Sequence, residues 1–418
     1  MTTRFLSFLL IFLGLTLPVA AQTSGPPRFL LESIVVEGVQ RDAVRNIVSA
    51  ESLLQTGREY TEQELREAVY RVKRLPFVMD AEFSLRKGGE RGSYQLVITV
   101  EETRLVFFSV DAGGIYDADD LRVGPDEDRV DWGASAQVGG RWFVGSQGLV
   151  FANVQGIEEI GPYTAQVGYT QYNLFGRGGF ASAVLSTDIS DENKAVDAYQ
   201  GGLSVGIPIV GNHSLRADLN LYRSDYDDSF SRIRSESQRL WVSWDYNTTD
   251  DPLFPTSGTR LNAGVGYIED EREDRFRDPL LGEVRFKDTA KVHEVGIFGD
   301  RHWSLTRRQS ISADLGGYWS EVDANGTDDR YEYWQGSAGL RHSTDLWGFE
   351  KTERFGDLRW ENTLSIIRSD ADSFFGDSST TDGRLTTGVV FRNAWGVTRL
   401  SFSYIDNLDR SIRVRNIL

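Results

Sequence analysis

The sequence contains no cysteine, which excludes disulfide bonds, thiolate metal sites and lipid anchors on cysteine. Histidine is also scarce, and no histidine has a partner at the spacing of an H-E-x-x-H metal site; the histidines are His213, His293, His302 and His342. The one G-x-S-x-G match, Gly202-Leu203-Ser204-Val205-Gly206, falls inside a strand-like segment and not at the strand-to-helix turn of a hydrolase elbow. The chain lacks the G-x-x-x-x-G-K pattern of phosphate-binding loops. These absences predict a protein without enzymatic activity, metal ion or cofactor.

Positive charge and long apolar runs are scarce as well. Lysine and arginine number 45 against 62 acidic residues, and the net charge of -17 makes nucleic-acid binding improbable. The mean hydropathy is -0.36. Beyond the N-terminus no apolar run approaches the roughly 20 residues that a membrane helix needs. The absence of such runs does not exclude a transmembrane β-barrel, because half of the residues in each of its strands are polar.

The N-terminus reads as a secretory signal over residues 1–21. Arg4 supplies the positive start, Phe5–Val19 is the apolar region, and Val19-Ala20-Ala21 has the small residues of a cleavage site. The alternative is an anchoring helix, but the apolar run is short and ends at the processing signal. Residues 22–28 are predicted to be a linker.

Two arms of alternating residues flank a turn rich in Pro and Gly between Ser237 and Tyr267. The apolar members of the two arms are Leu240, Val242, Trp244, Tyr246, Leu261, Ala263, Val265 and Tyr267. A period of two places them on one face of a sheet and the polar residues on the other. Each arm ends in an aromatic residue on its apolar face, which is typical of a transmembrane hairpin.

The same pattern continues to the end of the chain. Sixteen strand-like segments lie near residues 105–115, 132–143, 147–157, 162–172, 178–188, 196–207, 212–223, 235–246, 258–268, 284–302, 308–321, 332–343, 357–368, 384–394, 397–405 and 409–418. We predict a membrane all-β fold, with a 16-stranded antiparallel transmembrane β-barrel over residues 105–418.

The links between these segments alternate in length, as an up-and-down barrel requires. Short links and long polar links fall on opposite sides, except for the long link near 344–356, which falls on the short side. Because a globular domain precedes the first strand, the short links are predicted to lie on the side of that domain, the periplasmic side. Acidic clusters in the long links are predicted to be solvated loops; calcium binding and bridging to lipopolysaccharide are alternatives. These clusters are Asp117–Asp120, Asp126–Asp131 and Glu269–Asp274.

Residues 29–102 are predicted to form a small α+β domain with the order β-α-α-β-β. Thr61 and Glu64 have the spacing of a helix capping box. The residues that follow place apolar side chains on one helix face, and Pro76 ends the helix. Two alternating strands follow, joined by a turn rich in glycine.

Several motifs resemble those of BamA/TamA-type proteins. The series IVVEG, GREYT, RLPFV and LVITVEE resembles a POTRA domain, and GIPIVGNHSLRADLNLY and DDPLFPTSGTRLNAGVGY resemble barrel hairpins of that family. The second hairpin contains a periplasmic turn motif made of Asp251, Pro252, Pro255 and Gly258. The resemblance implies a bacterial outer-membrane barrel with a periplasmic domain that binds unfolded outer-membrane or secreted polypeptides through a sheet edge.

The chain departs from this family at two places. The family's sixth loop carries a Val-Arg-Gly-Phe motif whose arginine binds the lumen wall. The nearest match here is Leu340-Arg341-His342, which lacks the glycine and falls within a predicted strand. The chain ends in Leu418 where the family has an aromatic residue. The resemblance also implies a weak seam between the first strand, Leu105–Ile115, and the last, which contains Ile412, Val414 and Leu418.

The polar face of the barrel carries charges of both signs. The candidate lumen residues are Arg216, Asp218, Arg239, Asp245, Arg260 and Arg341. They either line a water-filled conduit or pair within the interior and rigidify a closed barrel. The mixed signs favour pairing, because unpaired charges are costly in a narrow lumen.

The predicted function is assistance in the insertion or translocation of polypeptides at the outer membrane. Alternatives are a passive outer-membrane channel and a surface receptor or adhesin. The expected partners are an unfolded polypeptide at the POTRA domain and the outer-membrane lipid and lipopolysaccharide around the barrel, with no nucleic acid.

Overall fold

The computed structural model describes residues 26–117, 130–157, 163–176, 178–189, 196–227, 231–278, 282–324, 330–347, 356–371 and 378–407. The predicted secretory signal and the predicted sixteenth strand, 409–418, lie outside the described residues. In the described part of the chain, no helix has the length and apolar character needed to cross a membrane.

The N-terminal domain is a four-stranded sheet with two helices. Its elements are β1 (Arg28–Glu37), α1 (Asp42–Glu51), β2 (Glu59–Thr61), α2 (Glu62–Lys73), β3 (Val78–Lys87) and β4 (Ser93–Glu102). The sheet order is β2-β1-β4-β3, with β1 parallel to β4 and the other pairs antiparallel. The short strand β2 lies between the two helices in the sequence and was not part of the predicted order β-α-α-β-β. The sheet order leaves β3 at one edge.

Helix α2 begins at the predicted capping box. The Glu64 backbone N–H donates to the Thr61 hydroxyl at 3.2 Å, and the Thr61 N–H donates to the Glu64 carboxylate at 2.6 Å. The capping box therefore satisfies two of the orphan N–H groups at the start of the helix. The apolar face of α2 is buried against the sheet through Leu65, Ala68, Val69 and Val72.

The rest of the described chain forms a closed barrel of fifteen strands. They are β5 (Val106–Asp117), β6 (Val130–Val144), β7 (Gly148–Ile157), β8 (Tyr163–Tyr172), β9 (Phe180–Ile189), β10 (Val196–Val210), β11 (His213–Asp227), β12 (Ser231–Asn247), β13 (Gly258–Asp278), β14 (Gly282–Thr306), β15 (Gln309–Ala324), β16 (Arg330–Trp347), β17 (Asp357–Ala371), β18 (Ser378–Asn393) and β19 (Gly396–Asn407). Each strand pairs antiparallel with its chain neighbours, and β19 closes the barrel on β5.

The closure corrects the predicted strand count and the predicted seam. Strand β19 pairs with β5 in parallel, from Gly396 opposite Phe108 to Ile405 opposite Asp117. In a meander with an odd number of strands the first and last strands run the same way, so the closing pair must be parallel. The closing strand among the described residues is therefore β19 and not the predicted last segment, 409–418, and Ile412, Val414 and Leu418 lie outside the described residues. Ile115 faces Ser403 of β19, and the Leu105 carbonyl, just before β5, accepts from Arg141 N–H at 2.8 Å.

The outer surface of the barrel is an apolar belt between aromatic residues. On β17, Leu364 and Ile366 are 54% and 48% exposed, whereas Arg359, on the inner face, is 1% exposed. The exposed aromatic residues at the end near the N-terminal domain include Trp142, Trp303 and Trp360, and those at the far end include Trp132, Tyr163, Tyr199 and Tyr404. This arrangement is typical of a barrel embedded in a bilayer.

Two strands extend well past the far end of the barrel. Strands β13 and β14 contain 21 and 25 residues, about twice the 9–11 that cross a bilayer. The prediction of a loop at 269–283 is therefore wrong, because most of it is a paired hairpin. In the cluster Glu269–Asp274, Glu271 pairs with Lys287 and Glu273 with Arg285, each at 2.6 Å. Among the described residues no group of acids and histidines is arranged to hold a metal ion.

Candidate functional site

The domain-side mouth of the barrel is the end where the N-terminal domain lies. The links after β6, β8, β10, β12, β14 and β18 are all at this end, as the alternation of link lengths predicted. Three groups of residues meet there: the charged lumen wall, the β12–β13 turn and the ends of the N-terminal helices.

The predicted lumen residues lie on one face of adjacent strands. Arg216 is opposite Ser243, Asp245 is opposite Asn262, and Arg260 is opposite Asp300. The charges pair along the wall: Arg216 with Asp218 at 2.8 Å and Arg239 with Glu294 at 2.9 Å. The pairs also include Arg260 with Asp300, and Asp245 accepts from Asn262 at 2.6 Å. Arg341 lies on β16, opposite Ser312 and close to Asp314. Neighbouring charges thus neutralise one another along the wall.

Trp241 lies flat on this inner wall, a residue that the sequence analysis left out of the lumen set. A Cβ atom at Gly264 or at Gly266 would be 2.5 Å from the Trp241 ring, and one at Gly296 would be 3.1 Å away. Because these three glycines of β13 and β14 have no side chain, the indole can pack directly against the backbone of the two strands. Arg239 packs over the same ring, with its Cζ atom 5.4 Å from the ring centroid.

The β12–β13 turn, residues 248–257, folds back into the mouth. Asp250 accepts from the N–H groups of Thr256 and Ser257, at 2.8 and 3.1 Å. Asp251 accepts from those of Leu253 and Phe254, at 2.8 and 2.7 Å. Pro252 and Pro255 fix two further φ angles. Gly258 ends the turn with φ +106°, and a Cβ there would be 2.4 Å from the Thr248 carbonyl oxygen.

Phe254, at the tip of this turn, is held between two arginines. The Cζ atoms of Arg359 and Arg392 are each 4.7 Å from the ring centroid, and Phe254 is only 3% exposed. The turn follows β12, whereas the arginines come from β17 and β18, so the contact crosses the lumen. We call Asp251, Phe254, Asp345, Asp357, Arg359 and Arg392 the turn clasp.

Ion pairs hold the clasp arginines in place. Arg392 contacts Asp251 at 2.8 Å and Asp357 at 2.7 Å, and Arg359 contacts Asp345 at 2.6 Å. Arg359 also donates to the Pro255 carbonyl at 3.4 Å. Burial alone would raise the pKa of Asp251, but Arg392 and the two turn N–H groups outweigh it and lower that pKa. Asp251 is therefore ionised and attracts Arg392.

The N-terminal domain covers a different part of the mouth. The Phe77 ring meets Phe143 of β6 and Tyr172 of β8 edge-on, at centroid distances of 5.1 and 5.9 Å. Arg71 donates to Asn212 at 3.0 Å, and Asn212 donates to Glu67 at 2.6 Å. The hydrophobic core of the domain therefore continues into the barrel, where Leu149 and Tyr172 join it.

Charged groups are enclosed where the domain meets the barrel. Burial raises the pKa of Glu51 to about 7, although Arg71 and Arg74 act in the opposite direction. Burial also lowers the pKa of Arg74 to about 10, and it lowers the pKa of Arg71. Glu51 is thus a group at this contact whose charge changes near neutral pH.

A cleft of about 950 Å³ lies between the N-terminal domain and the turn clasp. Its walls include Phe83 and Leu85 of β3, Tyr70 of α2, and the clasp residues Phe254 and Arg392. Among the lining residues the acidic side chains outnumber the basic ones, seven to three. The cleft therefore offers a sheet edge, aromatic side chains and negative charge in one place.

Sequence reasoning identified the turn motif but not the clasp. Phe254 between two prolines in a polar turn was a signal that could have indicated a buried tip. Arg359 and Arg392 follow the inner-face alternation of their strands, yet nothing local associates them with a turn whose nearer flanking strand, β13, is separated from β17 by three strands. Leu340-Arg341-His342 lies within β16, and in the described part of the chain Arg359 and Arg392 are the arginines seen to contact the β12–β13 turn.

The solved protein structures that are similar to this chain include BamA and CdiB. BamA from Haemophilus ducreyi lacking POTRA domains 1–3 is 13% identical, with a TM-score of 0.46, and the match covers 91% of this chain and 81% of that chain. CdiB from Acinetobacter baumannii is 11% identical, with a TM-score of 0.45, and the match covers 87% of this chain and 61% of that chain. The chain resembles BamA and CdiB in fold. No family model and no curated protein matches the sequence.

Proposed function

We propose that this is an outer-membrane POTRA-barrel protein that assists the insertion or translocation of polypeptides. Its N-terminal domain, residues 29–102, is the POTRA domain and lies in the periplasm. It binds unfolded outer-membrane or secreted polypeptides, while lipid and lipopolysaccharide surround the barrel. No enzymatic step is part of this proposal.

The observation that carries the proposal is the position of β3. This ten-residue strand pairs with β4 and, within the described residues, with no other strand, so one side of its backbone is open. An open edge accepts an extended segment as an added strand, and side-chain pockets beside it give selectivity. Here the pockets lie in the cleft that reaches the barrel mouth. A segment bound at β3 is thereby held beside the barrel.

The closing pair of the barrel supports a role for the seam. The β19–β5 ladder extends from Gly396 to Ile405, whereas the β12–β13 ladder extends from Ser231 to Asn247. Parallel pairs are also slightly less stable per residue than antiparallel ones. The seam is thus of the weaker type, which supports it as a place where the barrel wall could separate.

Photo-crosslinking tests the binding step. A photoreactive residue at Ser84, which is exposed on β3, should crosslink to unfolded polypeptides in cell envelopes. The matched control is the same group at Arg91, which is exposed in the β3–β4 turn. Equal crosslinking at both positions, or none at Ser84, would contradict the proposal.

Cysteine pairs test the seam, since the native chain contributes no thiol. Oxidising Ser109→Cys with Val397→Cys, which are opposite each other across the seam, should abolish assembly or secretion of the client. The control joins β18 to β19 through Thr386→Cys and Ser403→Cys, whose hydroxyl oxygens lie 2.9 Å apart. Full activity of the protein with the disulfide across the seam would contradict the proposed role of the seam.

The passive channel receives less support from the mouth, which is occupied by the domain and the clasp. Planar-bilayer recording distinguishes the two functions, because a steady pore that ignores added polypeptide favours the channel. A surface receptor or adhesin is favoured by one feature, the β13–β14 hairpin beyond the far end. Removing its tip would then reduce binding of the target and leave assembly unchanged.

A further inference from the structure

We infer that the β12–β13 turn is a gate at the domain-side mouth, and that an extended segment bound along β3 releases it. The inference rests on the proposed function, because the segment is the polypeptide received at that edge. It also defines the segment by its chemistry: an aromatic side chain next to arginine or lysine.

The clasp has the geometry of a closed gate. The turn starts at the end of β12, and its tip reaches through the mouth to β17 and β18, with three strands between β13 and β17. Both arginines that hold Phe254 have carboxylate partners, so the turn is held by its aromatic tip and by charge. Moving the turn outward uncovers the lumen wall behind it.

The gate and the binding edge share one cleft. Phe83 and Leu85 of β3 lie on one wall, and Asp251, Phe254 and Arg392 lie on another. A strand added to β3 therefore places its side chains beside the clasp. Contact with the clasp requires no further movement of the domain.

The chemistry of the cleft defines what releases the clasp. Arg392 is held by Asp251 and Asp357, and a basic side chain of the bound segment competes for the same carboxylates. An aromatic side chain of the segment competes with Phe254 for the faces of the arginines. The excess of acidic side chains in the cleft attracts such a segment and repels an acidic one.

A second connection links the domain to the turn. Arg74, at the end of α2, donates to the carbonyl oxygens of Asn247 and Thr249 at 2.8 and 3.3 Å. These two residues are at the base of the turn. A shift of α2 when β3 gains a partner is therefore transmitted to the hinge of the gate.

Electron paramagnetic resonance distances test the gate in the full chain in detergent. Spin labels at Leu253→Cys in the turn and Trp395→Cys in the β18–β19 link report the position of the turn; both native side chains are exposed. The control pair is Arg307→Cys with Trp395→Cys, two links on the wall. The probe is a ten-residue synthetic peptide in which every second residue is Thr and the residues between are Phe or Arg. The matched control peptide has Glu at each Arg position.

The basic aromatic peptide should shift the Leu253 to Trp395 distance to longer values and leave the control pair unchanged. Phe254→Ala should produce the same shift without peptide, whereas Phe276→Ala, an exposed aromatic on the far hairpin, should not. Heat-modifiable migration on gels verifies that each variant has a folded barrel. An unshifted distance in Phe254→Ala, or an equal response to both peptides, would overturn the inference.

The peptide and a photoreactive group at Ser84 separate the two proposals. Crosslinking at Ser84 without movement of the turn overturns the gate and leaves the proposed function standing. Absence of crosslinking to the peptide and to envelope polypeptides overturns the proposed function, and the gate with it.

Discussion

Arg74 of the N-terminal domain donates a 2.8 Å hydrogen bond to the carbonyl oxygen of Asn247, the last residue of β12. This bond joins the end of α2 to the base of the turn that closes the mouth. Arg74 therefore connects the N-terminal domain to the gate, although Arg74 and Asn247 are separated by more than 170 positions in the sequence.

Removing this arginine should loosen the domain from the barrel. Arg74→Ala leaves two carbonyl groups without their partner, at a cost of about 1–3 kcal/mol to the docked arrangement. Hydrogen exchange in α2 and protease cleavage near residue 104 should both become faster. Arg66→Ala is the control, because Arg66 is exposed and pairs with Glu62 within α2 at a value of about 0.3–0.5 kcal/mol. Equal effects of the two substitutions would show that Arg74 does not hold the domain.

Docking of the domain should depend on pH through Glu51. Burial raises the Glu51 pKa to about 7 from an ordinary value of 4.5, so the docked state favours the neutral carboxyl. The stabilisation is fully present below pH 4.5 and is lost as the pH rises through 7. The protection factors of the α1 amides, which correct for the base-catalysed intrinsic exchange rate, should therefore be higher at pH 5.5 than at pH 8. Glu51→Gln should remove this dependence; a variant that retains it would assign the titration to another group.

The buried pair of the clasp should be sensitive to single substitutions. Arg359→Leu leaves Asp345 buried without its partner, and such a loss costs about 3–5 kcal/mol. The temperature at which the barrel unfolds on gels should fall clearly. Arg368→Leu is on the same strand, and its side chain is 56% exposed. It should change the free energy of unfolding by less than about 1 kcal/mol and leave the unfolding temperature nearly unchanged.

The double variant Arg359→Leu with Asp345→Leu completes this test. Replacing both members of a buried ion pair by apolar residues is often neutral. Recovery of the unfolding temperature in the double variant would assign the loss to the unpaired carboxylate. No recovery would mean that the other contacts of Arg359, to Phe254 and to the Pro255 carbonyl, carry the stability.

Strand positions were predictable because alternation is a local property. The segment Ser214–Tyr222, for example, lies entirely within β11, with Arg216 and Asp218 on the same face. Strand pairing at the closure was not predictable in this way. Alternation at Ile412 and Val414 indicates a strand-like segment but does not identify its partner, and β19 has equally good alternation. Closure is decided by long-range pairing.

The clasp was beyond sequence reasoning for a related physical reason. Its members come from the β12–β13 turn and from β16, β17 and β18, and only the curvature of the barrel brings them together. The proline and aspartate residues of the turn specify its local shape, as Asp250 and Asp251 show through their bonds to backbone N–H groups. They do not specify whether the turn points inward or away from the barrel.

The glycines that pack against Trp241 should not tolerate substitution by alanine. In Gly266→Ala the new Cβ would be 2.5 Å from the indole ring and 2.7 Å from the Glu294 carboxylate, so the ring and its ion-paired neighbours must shift. Such overpacking costs about 1–3 kcal/mol. Gly133→Ala on β6 is the control, because no atom lies within 4 Å of its Cβ position. Unfolding temperature on gels measures both variants. Trp241→Ala should restore tolerance at residue 266, because it removes the ring that the new methyl group meets. If Gly266→Ala is as stable as Gly133→Ala, Trp241 does not lie on this part of the wall.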